Sequence, residues 1–159
     1  MWKSVKDGKA KFVSNEHDSF NKLFVFTAFV IQVILVIYFV TRKVDFDAAL
    51  RLGWVIYSLA IPAVIVSIVL IIVGKPWYLW FAGFAYGIWA ILGYIVDIAS
   101  PIPWRSPIYY PIFIPYVLLY TTGQMFYWWP LGRIKKAYWY GYLVLFATST
   151  ALNITSHTW

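Results

Sequence analysis

Cysteine is absent from the 159 residues of this chain. Disulfide bridges, thiolate metal sites, iron–sulfur clusters and cysteine nucleophiles are therefore excluded. Histidine is nearly as scarce, with His17 in a polar N-terminal segment and His157 close to the C-terminus. Neither has a cysteine or a further histidine nearby in sequence, so no pattern indicates zinc or a haem held by paired histidines. The sequence therefore specifies no cofactor.

Charged residues are also scarce, at 12% of the chain, whereas soluble domains contain about a quarter. Hydrophobic residues make up 62%, aromatic residues 22%, and the mean hydropathy is +0.71. This composition predicts an all-α integral membrane protein. No lysine lies inside a predicted membrane span, which excludes a retinal Schiff base.

The net charge of +7 has a simpler explanation than nucleic-acid binding. The cations flank apolar runs, where they determine topology and contact anionic lipid. We therefore expect the lipid bilayer as a partner and no nucleic acid.

The apolar runs predict a bundle of about five transmembrane helices in one domain, residues 23–157. A basic, cytoplasmic N-terminal arm, residues 1–22, precedes it. The predicted crossings are Leu23–Thr41, Leu52–Val73, Trp77–Val96, the stretch 106–133, and Ala137–Ile154.

Prolines complicate two of these crossings. Pro62 cannot donate a backbone hydrogen bond to Ser58 and should bend the second crossing. Pro107, Pro111 and Pro115 recur at every fourth position, which predicts an irregular or kinked start to the fourth segment and a cavity beside it. An alternative architecture therefore has four crossings and a re-entrant proline-rich segment.

The distribution of basic residues predicts a cytoplasmic N-terminus and a C-terminus on the opposite side of the membrane. With this orientation, nine Lys or Arg residues lie on the cytoplasmic side of the membrane and four on the opposite side. The inner set is Lys3, Lys6, Lys9, Lys11, Lys22, Lys75, Arg133, Lys135 and Lys136, and the outer set is Arg42, Lys43, Arg51 and Arg105.

Helix packing is predicted from small and polar residues within the runs. Close helix approach is expected along the strip of small residues Gly83, Gly87, Ala90 and Gly93. Gln32, an amide in mid-span, is expected to face the bundle and bond to another helix.

Asp97 is the acidic residue that follows an apolar run without a break. Arg105 is its nearest cation, and an ion pair between them would fix the connection between two helices. Asn153 and His157 continue a polar stripe that begins at Ser149 and should reach the same membrane face. These residues form either a functional cluster or a structural one.

Rings and an amide inside the spans give a second set of candidates. Trp89, Tyr120 and Gln124 could bind a lipophilic head group or a quinone-like carbonyl, or they could bridge helices. The predicted ligand site thus contains Trp89, Asp97, Arg105, Tyr120, Gln124, Asn153 and His157.

Three functions are compatible with these features. The first is a non-catalytic module, either an accessory subunit of a membrane complex or a binder of a lipophilic small molecule. The second is an enzyme acting on a lipid or isoprenoid, with Asp97 and His157 as acid and base. The third is a small proton-coupled transporter, which could be a homo-oligomer. No motif indicates which ligand or substrate is bound.

Overall fold

A computed structural model describes residues 18–100 and 107–155. Within these two ranges the chain is helical and contains no β-strand. The helices are α1 (Ser19–Val44), α2 (Phe46–Ser58), α3 (Ala60–Ile72), α4 (Trp77–Tyr94), α5 (Tyr110–Ile134) and α6 (Lys136–Thr155), with a π-helical turn at Ile95–Ala99 after α4.

The connections at Asp45 and at Lys135 are each a single residue long, which favours antiparallel packing of the helices that they join. Asp45 alone joins α1 to α2, and Lys135 alone joins α5 to α6. Helix α4 lies at the centre and packs against α3 on one side and α5 on the other. Helix α1 packs against α2 and α6, which brings the first and last described helices together.

Local sequence determines where several helices begin and end. The Asp18 carboxylate accepts hydrogen bonds from the backbone N–H groups of Phe20 and Asn21, and Asp45 accepts one from Ala48. Gly74 has a φ of 70°, the left-handed conformation that suits glycine, and ends the α3 region. Helix α1 thus begins at Ser19, within the last residues of the expected arm.

Helices α2 and α3 meet at Leu59, three residues before Pro62. Pro62 has no N–H to donate to the Ser58 carbonyl, which accounts for the interruption at this point. A one-residue interruption therefore lies where the sequence predicts a bend, within the single apolar segment Asp47–Ile72.

The proline-rich segment is only briefly irregular. Residues 107–109 are not helical, but from Tyr110 the chain forms one α-helix of 25 residues with Pro115 and Pro130 inside it. Pro111 lies in the first turn, where the absent N–H is tolerated. Helix α5 packs beside α4, and the choice between a fifth crossing and the re-entrant alternative stays a prediction.

Three of the described helical segments are long and apolar enough to cross a membrane: Ser19–Val44, Asp47–Ile72 and Trp77–Ala99. Helices α5 and α6 have sufficient length, 25 and 20 residues, but are less apolar. A total of five crossings and the orientation of the termini remain predictions.

The strip of small residues on α4 faces α3 and α2. A methyl group on Gly83 would overlap the Ala63 carbonyl and the Ser67 hydroxyl, and one on Gly87 would lie 2.8 Å from a Val64 methyl carbon. One on Gly93 would lie 2.5 Å from a ring carbon of Tyr57. This face of α4 therefore packs closely against helices of the same chain.

Candidate ligand-binding cavity

A cavity of about 320 Å³ lies among α1, α2, α4, α5 and α6. Its walls are mainly aromatic and aliphatic. The lining residues are Leu35, Tyr38, Phe39, Arg42, Gly53, Ile56, Tyr57, Trp89, Phe113, Tyr116, Val117, Tyr120, Thr121, Thr150, Asn153 and Ile154.

Trp89 is the central side chain of the cavity wall and is only 3% exposed. Four tyrosine rings surround its indole, at centroid distances of 5.3 Å for Tyr86, 5.4 Å for Tyr116, 5.5 Å for Tyr120 and 5.9 Å for Tyr57. These centroid distances lie within the range over which aromatic rings attract one another. These contacts hold the indole in one orientation.

Buried polar groups of the wall include the Trp89 indole nitrogen and the Thr150 hydroxyl. Neither has a hydrogen-bond partner among the described residues. Leaving such groups unpaired in an apolar interior costs about 1–3 kcal/mol each. An acceptor atom on a ligand that reaches either group would satisfy it, since indole N–H donates and a hydroxyl can also donate.

The cavity also has a more polar end. Arg42, in the last turn of α1, and Asn153, in the last turn of α6, both contribute to its lining. Both side chains have interactions of their own within the protein. The cavity thus combines an apolar body with polar groups at one end, as small-molecule sites commonly do.

Asp97 does not line the cavity, but it is hydrogen-bonded to Tyr57, which does. The Tyr57 hydroxyl donates to Asp97 Oδ2 over 2.5 Å. Tyr57 belongs to α2 and Asp97 to the π-helical turn after α4, so this bond joins two helices beside the cavity. The bond restrains the Tyr57 ring in its position in the wall.

The structure separates the predicted site residues into three groups. Trp89, Tyr120 and Asn153 line the one cavity, and Asp97 supports its wall. Arg105 and His157 lie outside the described residues, so their proposed cluster with Asp97 and Asn153 stays a prediction.

Gln124 belongs to a different, fully buried contact. Its Oε1 accepts a hydrogen bond from the Tyr142 hydroxyl over 2.6 Å, which connects α5 to α6. Gln124 does not line the cavity. In this position the amide bridges helices, one of the two roles considered from the sequence.

Gln32 also bridges helices, as predicted. Its Nε2 donates to the Ser149 hydroxyl over 2.6 Å, and Ser149 donates in turn to the Phe146 carbonyl. The polar residues Ser149 and Asn153, which share one face of α6, therefore have different structural roles. Ser149 joins α6 to α1, whereas Asn153 faces the cavity.

Sequence reasoning missed Arg42, Tyr57 and Thr150. The sequence indicates Arg42 only as a topology determinant, although its position in the last turn of an apolar helix also brings it beside the bundle interior. Thr150 is three residues before Asn153, the helical spacing that places two side chains on one face. That spacing could have identified Thr150, whereas no local pattern indicates Tyr57.

Comparison with protein families, curated proteins and solved structures gives no match to this chain. The function must therefore be inferred from the geometry of the cavity. Within residues 18–100 and 107–155, no group of three His, Asp or Glu side chains is arranged to hold a metal ion.

Proposed function

We propose that this protein is a membrane-embedded binding module for a lipid-soluble small molecule with a hydrogen-bond acceptor, such as a ketone, quinone or ester carbonyl. The observation that carries the proposal is that Trp89 lines the cavity and that its indole N–H has no hydrogen-bond partner among the described residues. An apolar molecule without an acceptor would leave this donor unsatisfied.

The size and lining of the cavity support this ligand class. Small-molecule pockets usually enclose about 300–1,000 Å³, and the volume here, about 320 Å³, suits a compact head group. Rigid aromatic side chains lose little conformational entropy when they hold a ligand. Arg42 at the polar end favours a head group with partial negative charge.

Membrane insertion through five helices is part of the proposal. The three long apolar segments support it, and the less apolar α5 and α6 would be shielded in part by packing against α4 and α1. The arm with its lysines would lie on the cytoplasmic side. The accessory-subunit, enzyme and transporter functions expected from the sequence stay predictions.

The test uses 2-decyl-1,4-benzoquinone as a probe and protein labelled with 5-fluorotryptophan in phosphatidylcholine nanodiscs. The Trp89→Phe variant assigns the ¹⁹F resonance of Trp89. We expect the probe to shift this resonance saturably, while the resonance of Trp129, which is 43% exposed, stays in place. Decylbenzene, which lacks the carbonyl acceptors, should bind more weakly.

Thr150→Val gives an independent control of the site. Removing one hydrogen-bond donor should weaken the binding of the quinone roughly 2- to 10-fold. The matched variant Thr148→Val changes an exposed threonine on the same helix, whose hydroxyl bonds to the Val144 carbonyl, and should not change the affinity. Equal shifts of all tryptophan resonances, or equal affinities for quinone and decylbenzene, would contradict the proposal.

A further inference from the structure

A second concavity, of about 540 Å³, lies on the outer side of α2, α3 and α4. It is more open than the cavity and is almost entirely apolar. We refer to it as the groove, and its lining residues are Trp54, Tyr57, Ser58, Ala60, Ile61, Val64, Ile65, Gly87, Ala90, Ile91 and Tyr94. Several of these, including Ile61 at 65% exposed, face outward from segments apolar enough to contact lipid.

Tyr57 lines both the groove and the cavity. No other described residue is shared by the two linings. Its ring lies 5.9 Å from the indole of Trp89, measured between centroids. Tyr57 therefore lies between the groove and the cavity.

The Tyr57 ring is held by one polar contact and by the shape of α4. Its hydroxyl donates to Asp97 Oδ2, and its edge lies over Gly93, where a larger residue would collide with it. The absence of a side chain at Gly93 leaves room for the ring in this position. Breaking the bond to Asp97 would release the ring at its polar end.

The backbone next to Tyr57 is weakened. Helix α2 ends at Ser58 and α3 begins at Ala60, and Pro62 cannot donate to the Ser58 carbonyl. Interruptions of this kind are where helices bend. The ladder thus lacks one bond at this point, while the Leu59 N–H still donates to the Val55 carbonyl and the Ala63 N–H to the Leu59 carbonyl, so the end of α2 is less restrained than a complete helix.

From these contacts we infer that the cavity is reached sideways from the hydrocarbon region through the groove, with Tyr57 as the gate and Asp97 as the group that holds it closed. This inference rests on the proposed function and specifies its ligand as a molecule supplied by the bilayer rather than by water. The groove is its entry site. Asp97 thereby acts through Tyr57 as a positioning residue.

The experiment measures access to the cavity without any ligand. Because the chain has no cysteine, Thr150→Cys introduces a single thiol into the cavity wall, and we refer to it as the cavity thiol. In phosphatidylcholine nanodiscs, its rate of reaction is measured with N-phenylmaleimide, which dissolves in the bilayer, and with a water-soluble maleimide that carries a quaternary ammonium group.

We expect the cavity thiol to react with the bilayer-soluble reagent and much more slowly with the charged one. Adding Tyr57→Phe removes the hydrogen bond to Asp97 but keeps the ring. It should accelerate the reaction with N-phenylmaleimide about 3- to 10-fold. Tyr57→Ala should accelerate it further. The exposed-site variant Tyr140→Phe should leave the rate unchanged, since Tyr140 is 60% exposed on α6.

A second reporter shows whether each variant keeps its fold. Val144→Cys, at a position 66% exposed on α6, should react at one rate in all the Tyr57 backgrounds. A rate for the cavity thiol that does not respond to Tyr57→Phe and Tyr57→Ala would overturn the inference. Faster reaction with the charged reagent than with N-phenylmaleimide would also overturn it, since access would then come from water.

The two proposals can fail separately. If the quinone binds at Trp89 but the cavity thiol does not respond to the Tyr57 substitutions, the binding function stands and the gate is refuted. If the cavity thiol responds to these substitutions but the resonance of Trp89 does not respond to the quinone, the entry route stands and the ligand class is wrong.

Discussion

The ammonium nitrogen of Lys75 lies 2.9 Å from Asp18 Oδ2 and 3.1 Å from Asn21 Oδ1. The Lys75 side chain is only 1% exposed, although its position in the sequence, between two apolar runs, suggests that it marks the water side. Asp18 caps α1, and Lys75 follows α3. The contact therefore connects the beginning of the first helix to the turn before α4.

The first prediction concerns loss of this ion pair. Asp18→Asn keeps an oxygen that can cap α1 but removes the charge that compensates Lys75. We expect the free energy of unfolding to fall by about 1–3 kcal/mol, because an ammonium group remains buried with weaker acceptors. Unfolding in mixed micelles measures this change, and the double variant Asp18→Asn/Lys75→Met should recover part of the loss.

The second prediction is the pH dependence of the same contact. Burial opposes ionisation of Asp18, but hydrogen bonds from Lys75 and from two backbone N–H groups outweigh it and hold its pKa below the ordinary value of 3.8. The folded state therefore favours the carboxylate more than the unfolded state does. Its stabilising contribution is complete above about pH 4 and is lost as the pH falls through the folded-state pKa. The Asp18→Asn variant should lack this part of the acid-induced decrease in stability. Identical curves of unfolding free energy against pH for the wild type and the variant would contradict the lowered pKa of Asp18.

The third prediction compares two glycines of α4. Gly83→Ala should destabilise the bundle by about 2–3 kcal/mol, because its methyl group meets a backbone carbonyl that cannot move alone. Gly87→Ala meets a side-chain methyl of Val64 and should cost about 1 kcal/mol. Unfolding of both variants in the same micelles shows which one loses more stability. A difference in helix propensity between glycine and alanine would act equally at both positions and would not produce a larger loss at Gly83.

The fourth prediction tests the bridge between α1 and α6. A double-mutant cycle of Gln32→Leu and Ser149→Ala should give a coupling energy of about 0.5–1.5 kcal/mol, the range for polar contacts inside membrane bundles. Additive effects of the two substitutions would show that the hydrogen bond contributes nothing net.

The fifth prediction tests the bridge between α5 and α6. Tyr142→Phe should cost about 1–3 kcal/mol, because it leaves the buried carbonyl of Gln124 without its donor. Tyr140→Phe, two residues earlier and 60% exposed, is the matched control and should change stability by less than about 0.5 kcal/mol. Similar losses in the two variants would contradict the role given to Gln124.

Several local features could be predicted from the sequence because each depends on a few neighbouring residues. Asp18 and Asp45 cap helices through their own side chains, Gly74 supplies a left-handed φ, and Pro62 removes one backbone donor. The need of Gln32 for a buried partner was equally predictable, since an amide cannot remain unpaired at low cost in an apolar span.

Partners in other helices could not be predicted in this way. Gln124 and Tyr120 are four residues apart, yet one bridges to Tyr142 and the other lines the cavity. The difference depends on the rotation of α5 against its neighbours. An apolar sequence with aromatic residues on every face does not specify that rotation.

The sequence by itself thus determined an all-helical, largely apolar chain without thiol chemistry, the ends of several helices, and the residues that need buried partners. Only the tertiary structure decided that Arg42, Tyr57, Trp89 and Thr150, from four different helices, meet at one cavity. The physical reason is that helix formation depends on residues within a few turns. A cavity forms where the side chains of several helices fail to fill the space between them, which depends on all of their positions at once.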